Sequence, residues 1–440
     1  MKPVDVRSLL IKTLGPCTFE SPLLPLLDGR GQSYHYVDER DRVLFDDTVS
    51  AVSARAVDRY PSFEPAGPRR KLFFNPAQTR AGIVTCGGLC PGLNDVIRAL
   101  TLELHLRYGV EKVYGFKNGY QGLVEKCGRP LLELTPDRVG SINEHGGTML
   151  GTSRGQQDPE EMLDYLIKLG VNVLFVIGGD GSIRGAQKIS EAAAQRNVPL
   201  AVAAIPKTID NDIMFIEQSF GFQTSFTEAT RSIRGAHVEA QASPNGIGLV
   251  KLMGRHSGFI ACYASLAMSD TDFVLIPEVP FQLEGPGGFL KAVRERVERQ
   301  GHAVIVVAEG AGQAHCSGGD GGTDASGNAK LKDVGVFLKQ QICDDFAKAG
   351  LEVNLKYIDP SYAIRSVPAN AYDSVYCIRL AHSAVHAAMS GRTELVIGRW
   401  HSRFVHVPMS LAIRERYTVD PDGDLWTTVL EATGQPRLFA

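Results

Sequence analysis

Six consecutive residues, Lys207 to Asp212 within Ile205-Pro-Lys-Thr-Ile-Asp-Asn-Asp212, bring together a lysine, a hydroxyl and two carboxylates. Most are types that resist burial unless paired, so a plain turn would rarely need them all. Asp210 could take the proton of an attacking hydroxyl as general base, Asp212 could support a metal, and Lys207 could neutralise charge on a transferring group. Upstream, Val176-Ile-Gly-Gly-Asp-Gly-Ser182 flanks one aspartate with glycines. That leaves the backbone free to approach phosphates while the Asp180 carboxylate can hold Mg²⁺, usually through water. Both segments argue for phosphoryl transfer without naming the acceptor.

Two further loops carry the same chemistry less specifically. In Thr85-Cys-Gly-Gly-Leu-Cys-Pro-Gly-Leu-Asn94, glycines could let backbone N–H groups converge on an anion at a helix N-terminus. The pattern is neither GxGxxG nor the P-loop, and a structural turn stays open as a reading. In Val250-Lys-Leu-Met-Gly-Arg-His-Ser-Gly258, Arg255 follows a tight Met253-Gly254 turn, where it could fork onto a phosphate, stabilise transition-state charge, or simply pair with a surface carboxylate. Other spacings read as packing. Cys86 and Cys90 lack a second close pair, His382 and His386 share a helix face without a third ligand, and Asp320 to Asp324 lacks the acidic alternation of an EF-hand.

These loops follow short apolar runs: Ala81 to Thr85, Val171 to Ile177, Leu200 to Ile205, Gly246 to Lys251, Phe273 to Ile276, Ala303 to Ala308, Val353 to Ile358 and Leu395 to Ile397. Helix-length segments alternate with them, with apolar faces such as Ile183, Ala186, Ile189, Ala193 and Phe226, Ala229, Ile233, Ala236. Continuous rather than alternating strands are expected where helices cover both faces of a parallel sheet. The expected fold is therefore α/β, with two Rossmann-like, largely parallel open sheets, flanking helices, and ligand loops at the C-terminal strand ends. Residues 1–78 show no such rhythm and read as an N-terminal extension. Boundaries are expected at 79–220, with part of the later chain returning to it, at 221–410, and at a C-terminal segment 411–440. Residues 310–327, rich in Gly, Ser, Asp and Thr, read as a loop.

Composition excludes several classes. The 440 residues carry a net charge of -3 with no long basic run, which argues against nucleic-acid binding. No run approaches the roughly twenty apolar residues of a membrane span, and the N-terminus has no signal-peptide core. The 8 cysteines are scattered and are expected as reduced thiols, with the cytoplasm the expected location.

GGLCPGLN, GGTMLGTSRG, GGDGS, PKTIDND, KLMGRHSG, Glu309 in VAEG and the YIDPSYAIR segment occur in that order. Together they resemble a 6-phosphofructokinase over about residues 80–410, and the N-terminal extension, Tyr362 and the long loop before Asp333 resemble the plant-like and kinetoplastid-like branch. The resemblance implies a nucleotide-binding domain at 79–220 and a sugar-phosphate-binding domain at 221–410. It implies that Asp210 takes the proton from the sugar 1-hydroxyl, with Thr208 and Asp212 beside it, while Arg255 stabilises the transferring phosphoryl group. Gly88, Arg154, Gly155, Gly179, Asp180, Gly181, Ser182 and Lys207 would hold ATP, with Asp180 serving Mg²⁺. Ile209, Met253, Gly254, Arg255 and Glu309 would surround fructose 6-phosphate, and Tyr362, Arg365 and Lys356 of a neighbouring subunit would take its 6-phosphate. A homo-oligomer is implied, with a tetramer favoured, and neither nucleic acid nor membrane as partner.

One departure is Gly246, which stands where short bacterial relatives carry a phosphate-binding arginine. Donor choice turns on two residues. Pyrophosphate-using relatives typically carry aspartate at the position of Gly181, where it would crowd a nucleotide α-phosphate; glycine leaves that space open. Lys207 is shared with the pyrophosphate users. Steric exclusion should outweigh one cation, so ATP is expected, with a pyrophosphate-dependent enzyme as the alternative and a non-catalytic sugar-phosphate sensor as a remote one.

Overall fold

The computed structural model describes residues 5–23, 36–49, 51, 60–316, 322 and 330–440. The chain forms two compact units. One comprises Met1–Thr208, Ile213–Gly221 and Val367–Glu415, the other Ile209–Asp212, Phe222–Ser366 and Arg416–Ala440.

The first unit is built on a nine-stranded sheet. Its centre is parallel, in the spatial order Leu395–Trp400, Ala201–Pro206, Val173–Gly178, Arg80–Thr85, Lys112–Phe116. Antiparallel strands extend both edges: Arg403–Pro408, Ser62–Pro65 and Val43–Leu44 on one side, Leu131–Glu133 on the other. Strands Val173–Gly178 and Ala201–Pro206 are buried at every residue, as their unbroken apolar sequences require when helices cover both faces. Helices Leu93–Leu102, Pro159–Leu169, Asp180–Gln195 and Ala371–Met389 do so. From Arg80–Thr85 the chain moves to Lys112–Phe116 on one side and then crosses to Val173–Gly178 on the other. The carboxyl ends of the first and third of these strands are thus a topological switch point, where open sheets leave a crevice for ligands.

The second unit has an all-parallel sheet of four strands in the order Phe273–Leu275, His302–Ala308, Gly246–Leu252, Asn354–Ile358. Helices Phe222–Gln241, Phe259–Met268, Phe289–Gln300 and Val334–Lys348 flank it. One buried cluster joins the sheet residues Ile247, Leu249, Ile305 and Val307 to Phe289, Leu338 and the penultimate residue Phe439.

Every strand expected from residue 81 onward is present within a few residues. Lys112–Phe116, Leu131–Glu133, Arg392–Thr393 and Arg403–Pro408 are additional, and part of the N-terminal extension, Val43–Leu44 and Ser62–Pro65, joins the first sheet. Of the expected loop 310–327, residues 310–316 form a turn with the short helix Gln313–His315. The rest, including Asp320 and Asp324, falls outside the described residues apart from Gly322.

Candidate active site

On the first unit, strand pairing draws three motifs together. The Cys86 N–H donates to the Ile177 carbonyl at 2.9 Å, and the Lys207 N–H to that of Gly178 at 3.0 Å. The glycine turn, the GGDG turn and the start of PKTIDND are therefore adjacent. Gly87 sits at φ +86°, donates to the Ser153 carbonyl at 3.2 Å, and accepts the Thr152 hydroxyl at 2.6 Å. A Cβ there would lie 3.1 Å from Lys207 Nζ, so the tip of this buried lysine stands beside the turn, whose positive φ favours glycine. Arg154 and Gly155 are exposed, and Arg154 Nη2 lies 3.9 Å from the Cβ position of Gly88.

Asp180 opens the helix Asp180–Gln195, where a helix N-terminus favours negative charge. Its carboxylate is half-buried and pairs with Arg184 one turn along at 3.2 Å. Gly179 precedes it as the N-cap. Ser182 is buried and its carbonyl accepts the Tyr120 hydroxyl. A Cβ on Gly181 would meet nothing within 4 Å, and the residue is exposed. Thr208 closes this unit, with its carbonyl accepting the Ser219 hydroxyl.

The second unit holds the rest of PKTIDND. Strands Gly246–Leu252 and His302–Ala308 end level with one another, and the Glu309 N–H donates to the Leu252 carbonyl at 2.9 Å. Arg255 and Glu309 consequently emerge side by side, with Nε and Oε1 3.6 Å apart. Gly254, at φ +128°, makes the Met253-Gly254 turn that aims them. Against this turn lies the short segment Ile209–Asp212. The Ser257 hydroxyl donates to the Asp210 carbonyl oxygen at 2.9 Å, and the Arg255 backbone N–H bonds to the Asp210 carboxyl. Part of Asp210 reaches the surface, but its Oδ1 is closed off from solvent. Burial first, then the neighbouring Asp212 and Glu309 charges, push its carboxyl up to about 7. A carboxylate so poised can accept a proton near neutral pH.

Lys356, Tyr362 and Arg365 lie on the other flank of strand Gly246–Leu252, on and just after Asn354–Ile358. Lys356 is exposed, and Tyr362 is 75% exposed with the Arg365 guanidinium 4.6 Å from its ring centre. Lys251 secures the start of this segment through Asp359 at 2.8 Å and Asp333 at 3.0 Å. Gly246 has a structural reason: a Cβ there would stand 2.0 Å from the Ala240 carbonyl oxygen, so this strand start admits no side chain.

The second unit thus gathers Ile209, Asp210, Asp212, Met253, Gly254, Arg255 and Glu309, while the first gathers Gly88, Gly179, Asp180, Gly181, Ser182 and Lys207. Arg416 and Glu278, outside every motif, also belong to the cluster around Asp210, Asp212 and Arg255. Arg416 Nη1 stands 2.5 Å from Asp212 Oδ2, and Glu278 accepts the Gly258 N–H at 2.9 Å. Neither residue has a sequence signal of its own, because each acts through a contact distant along the chain.

Open α/β sheets whose strand ends carry glycine turns, a buried lysine and a guarded carboxylate define a phosphoryl-transfer protein. The phosphofructokinase profile matches residues 80–388, and the chain belongs to that family. It is 55% identical over 446 aligned residues to an ATP-dependent 6-phosphofructokinase of Amycolatopsis methanolica, covering 99% of this chain and 96% of that protein. It is 48% identical to ATP-dependent 6-phosphofructokinase 7 of Arabidopsis thaliana, over 86% of this chain and 78% of the plant protein. A crystal structure of a pyrophosphate-dependent phosphofructokinase from Marinobacter aquaeolei shares the fold, with a TM-score of 0.67 at 20% identity over 81% of this chain and 91% of that one.

Proposed function

We propose that this protein is an ATP-dependent 6-phosphofructokinase, transferring the γ-phosphoryl group of ATP to the 1-hydroxyl of fructose 6-phosphate to give fructose 1,6-bisphosphate. The observation that carries the reading is Asp210, a shielded carboxyl with elevated proton affinity, held against the turn that presents Arg255 and Glu309. Asp210 would take the proton from the attacking hydroxyl as the O–P bond forms. Arg255 would offset the charge spread over the transferring oxygens, which is the main catalytic demand of this reaction. Met253, Gly254, Ile209 and Glu309 would line the sugar, and Tyr362 and Arg365 would take its 6-phosphate, helped by Lys356 from a neighbouring subunit. Gly88, Arg154, Gly155, Gly179, Gly181, Ser182 and Lys207 would receive the nucleotide phosphates, with Thr208 and Asp212 flanking the base.

Mg²⁺ fits Asp180. The side chain is half-buried, stands at the head of a helix among glycines, and belongs to no group of three or more metal-ligating side chains among the described residues. A single carboxylate suits a hard cation that keeps its waters and takes phosphate oxygens; the ion would supply charge neutralisation on the donor phosphates. The absence of any obstacle around Gly181, together with the ATP-dependent relatives, supports ATP over pyrophosphate. A cytoplasmic location and a homotetrameric assembly complete the reading we favour. Among the described residues no helix is long and apolar enough to cross a membrane.

Purified protein assayed with fructose 6-phosphate and Mg²⁺ should turn over with ATP and not with pyrophosphate. Gly181→Asp should depress kcat/KM for ATP at least about tenfold, the effect of placing a side chain and a charge in the space the α-phosphate needs. Turnover with pyrophosphate alone would reverse the donor assignment, and silence with both would favour a sugar-phosphate sensor.

A further inference from the structure

Asp210, Asp212 and Glu309 bring three carboxylates into one small region, and like charges at this range repel strongly unless cations stand among them. Arg255 is one such cation. The second is Arg416, on the stretch of chain that re-enters the second unit near its end. Its guanidinium pairs with the largely buried Asp212 carboxylate, and the following residues continue the contact. The Tyr417 N–H donates to the Asp212 carbonyl at 2.9 Å. The Tyr417 ring stacks on Phe259, at 4.9 Å between centres and 28° between planes, in the first turn of the helix that follows the Arg255 loop. The Val419 N–H donates to Glu278 Oε1 at 2.8 Å, the same oxygen that accepts the Gly258 N–H at 2.9 Å. Residues 416–419 therefore touch both ends of the cluster around Asp210, the carboxylate segment through Arg416 and Tyr417, and the far side of the arginine loop through Tyr417 on Phe259 and Val419 by way of Glu278.

We infer that Arg416 is a positioning residue for phosphoryl transfer, holding Asp212 so that the segment Ile209–Asp212 keeps Asp210 seated against the Arg255 loop. The inference rests on the proposed function above. Arg416 itself need not touch substrate; it acts through Asp212. Displacements of about 1 Å at a reacting group can cost around a hundredfold in rate, so loss of this clasp should appear in kcat rather than in substrate affinity. A purely structural arginine would lower stability and leave the rate of the folded fraction unchanged.

The test is a double-mutant cycle on the full-length enzyme. Arg416→Met should lower kcat with ATP and fructose 6-phosphate by about tenfold to a hundredfold while KM for the sugar changes less than about threefold. Arg416→Lys, which restores the charge, should recover most of the loss. In an Asp212→Asn background the further loss from Arg416→Met should shrink to less than about twofold, because the interaction it removes is already gone. Should Arg416→Met fail to fold, Arg416→Gln carries the same expectations. Full kcat in Arg416→Met or Arg416→Gln, no recovery in Arg416→Lys, a loss confined to KM, or an undiminished loss in the Asp212→Asn background would each overturn the inference. Wild-type protein inactive with both donors would instead overturn the functional reading on which it rests.

Discussion

In the proposed reaction the general base is Asp210, whose carboxyl is set apart by its surroundings. Desolvation raises its proton affinity, and the Asp212 and Glu309 charges add to the effect. A general base must be ionised to act, so activity should be lost on the acid side. As pH falls through about 7, kcat/KM should drop toward a slope of tenfold per pH unit. Asp210→Asn should remove that limb and lower kcat roughly 10²–10⁴-fold while fructose 6-phosphate still binds. Steady-state rates across the neutral range and a calorimetric titration of the variant with the sugar check both parts. A variant of unchanged rate would exclude Asp210 as the base.

At the scale of elements, the packing of helix Ala371–Met389 against Leu93–Leu102 and its continuation Glu103–Arg107 makes stability depend on pH. Glu103 is buried here with His382 Nε2 at 3.5 Å, and burial pushes its carboxyl up to about 7. Beside it, the Tyr108 hydroxyl lies 2.7 Å from His386 Nδ1, and burial pushes that imidazole down to about 3. The two groups act at opposite ends of the scale. For Glu103 the folded pKa exceeds the unfolded one, so its favourable contribution is complete below about 4.5 and is lost as pH rises through about 7. For His386 the folded pKa is depressed, so its contribution is present above about 6.5 and lost as pH falls toward 3. Glu103→Gln should accordingly raise Tm by a few degrees at pH 8 and leave it nearly unchanged at pH 5. Equal shifts at both pH values would show that the carboxylate is not the cause.

At the scale of the whole molecule, neither unit is a continuous stretch of chain. The first is completed by Val367–Glu415 and the second by Arg416–Ala440, so the last residues belong to a core begun two hundred residues earlier. Phe439 is 4% exposed, its ring 5.4 Å from Phe289 and 6.0 Å from Phe273. The backbone beside it is tied down by Gln282 N–H to Phe439 O at 2.8 Å and Ala440 N–H to Gly287 O at 3.1 Å. Phe439→Ala should cost about 3–5 kcal/mol, the usual range for emptying a packed aromatic site. Urea unfolding followed by circular dichroism should show the loss as a lower midpoint; an unchanged midpoint would mean that the C-terminus adds nothing to the core.

Local chemistry was legible in the sequence because it is local. Unbroken apolar runs such as Val173 to Ile177 announce buried parallel strands. The glycines around Asp180 mark the turn between strand Val173–Gly178 and its helix, and the mixture of lysine, hydroxyl and carboxylates at Lys207 to Asp212 marks the segment that leaves strand Ala201–Pro206. Gly181 could be read as open space before its surroundings were known. Short strands were harder. Lys112–Phe116 mixes charged, glycine and aromatic residues, while Val43–Leu44 and Ser62–Pro65 are too brief to show a period and form only because an edge of the sheet is there to receive them. The α/β class and the residue types at the strand ends are thus readable from the order of residues alone. Which distant segments close on them, Arg416 on Asp212 and Val419 with Gly258 on Glu278, is settled by folding, because such pairings depend on the path of the whole chain and leave no periodicity in the residues that make them.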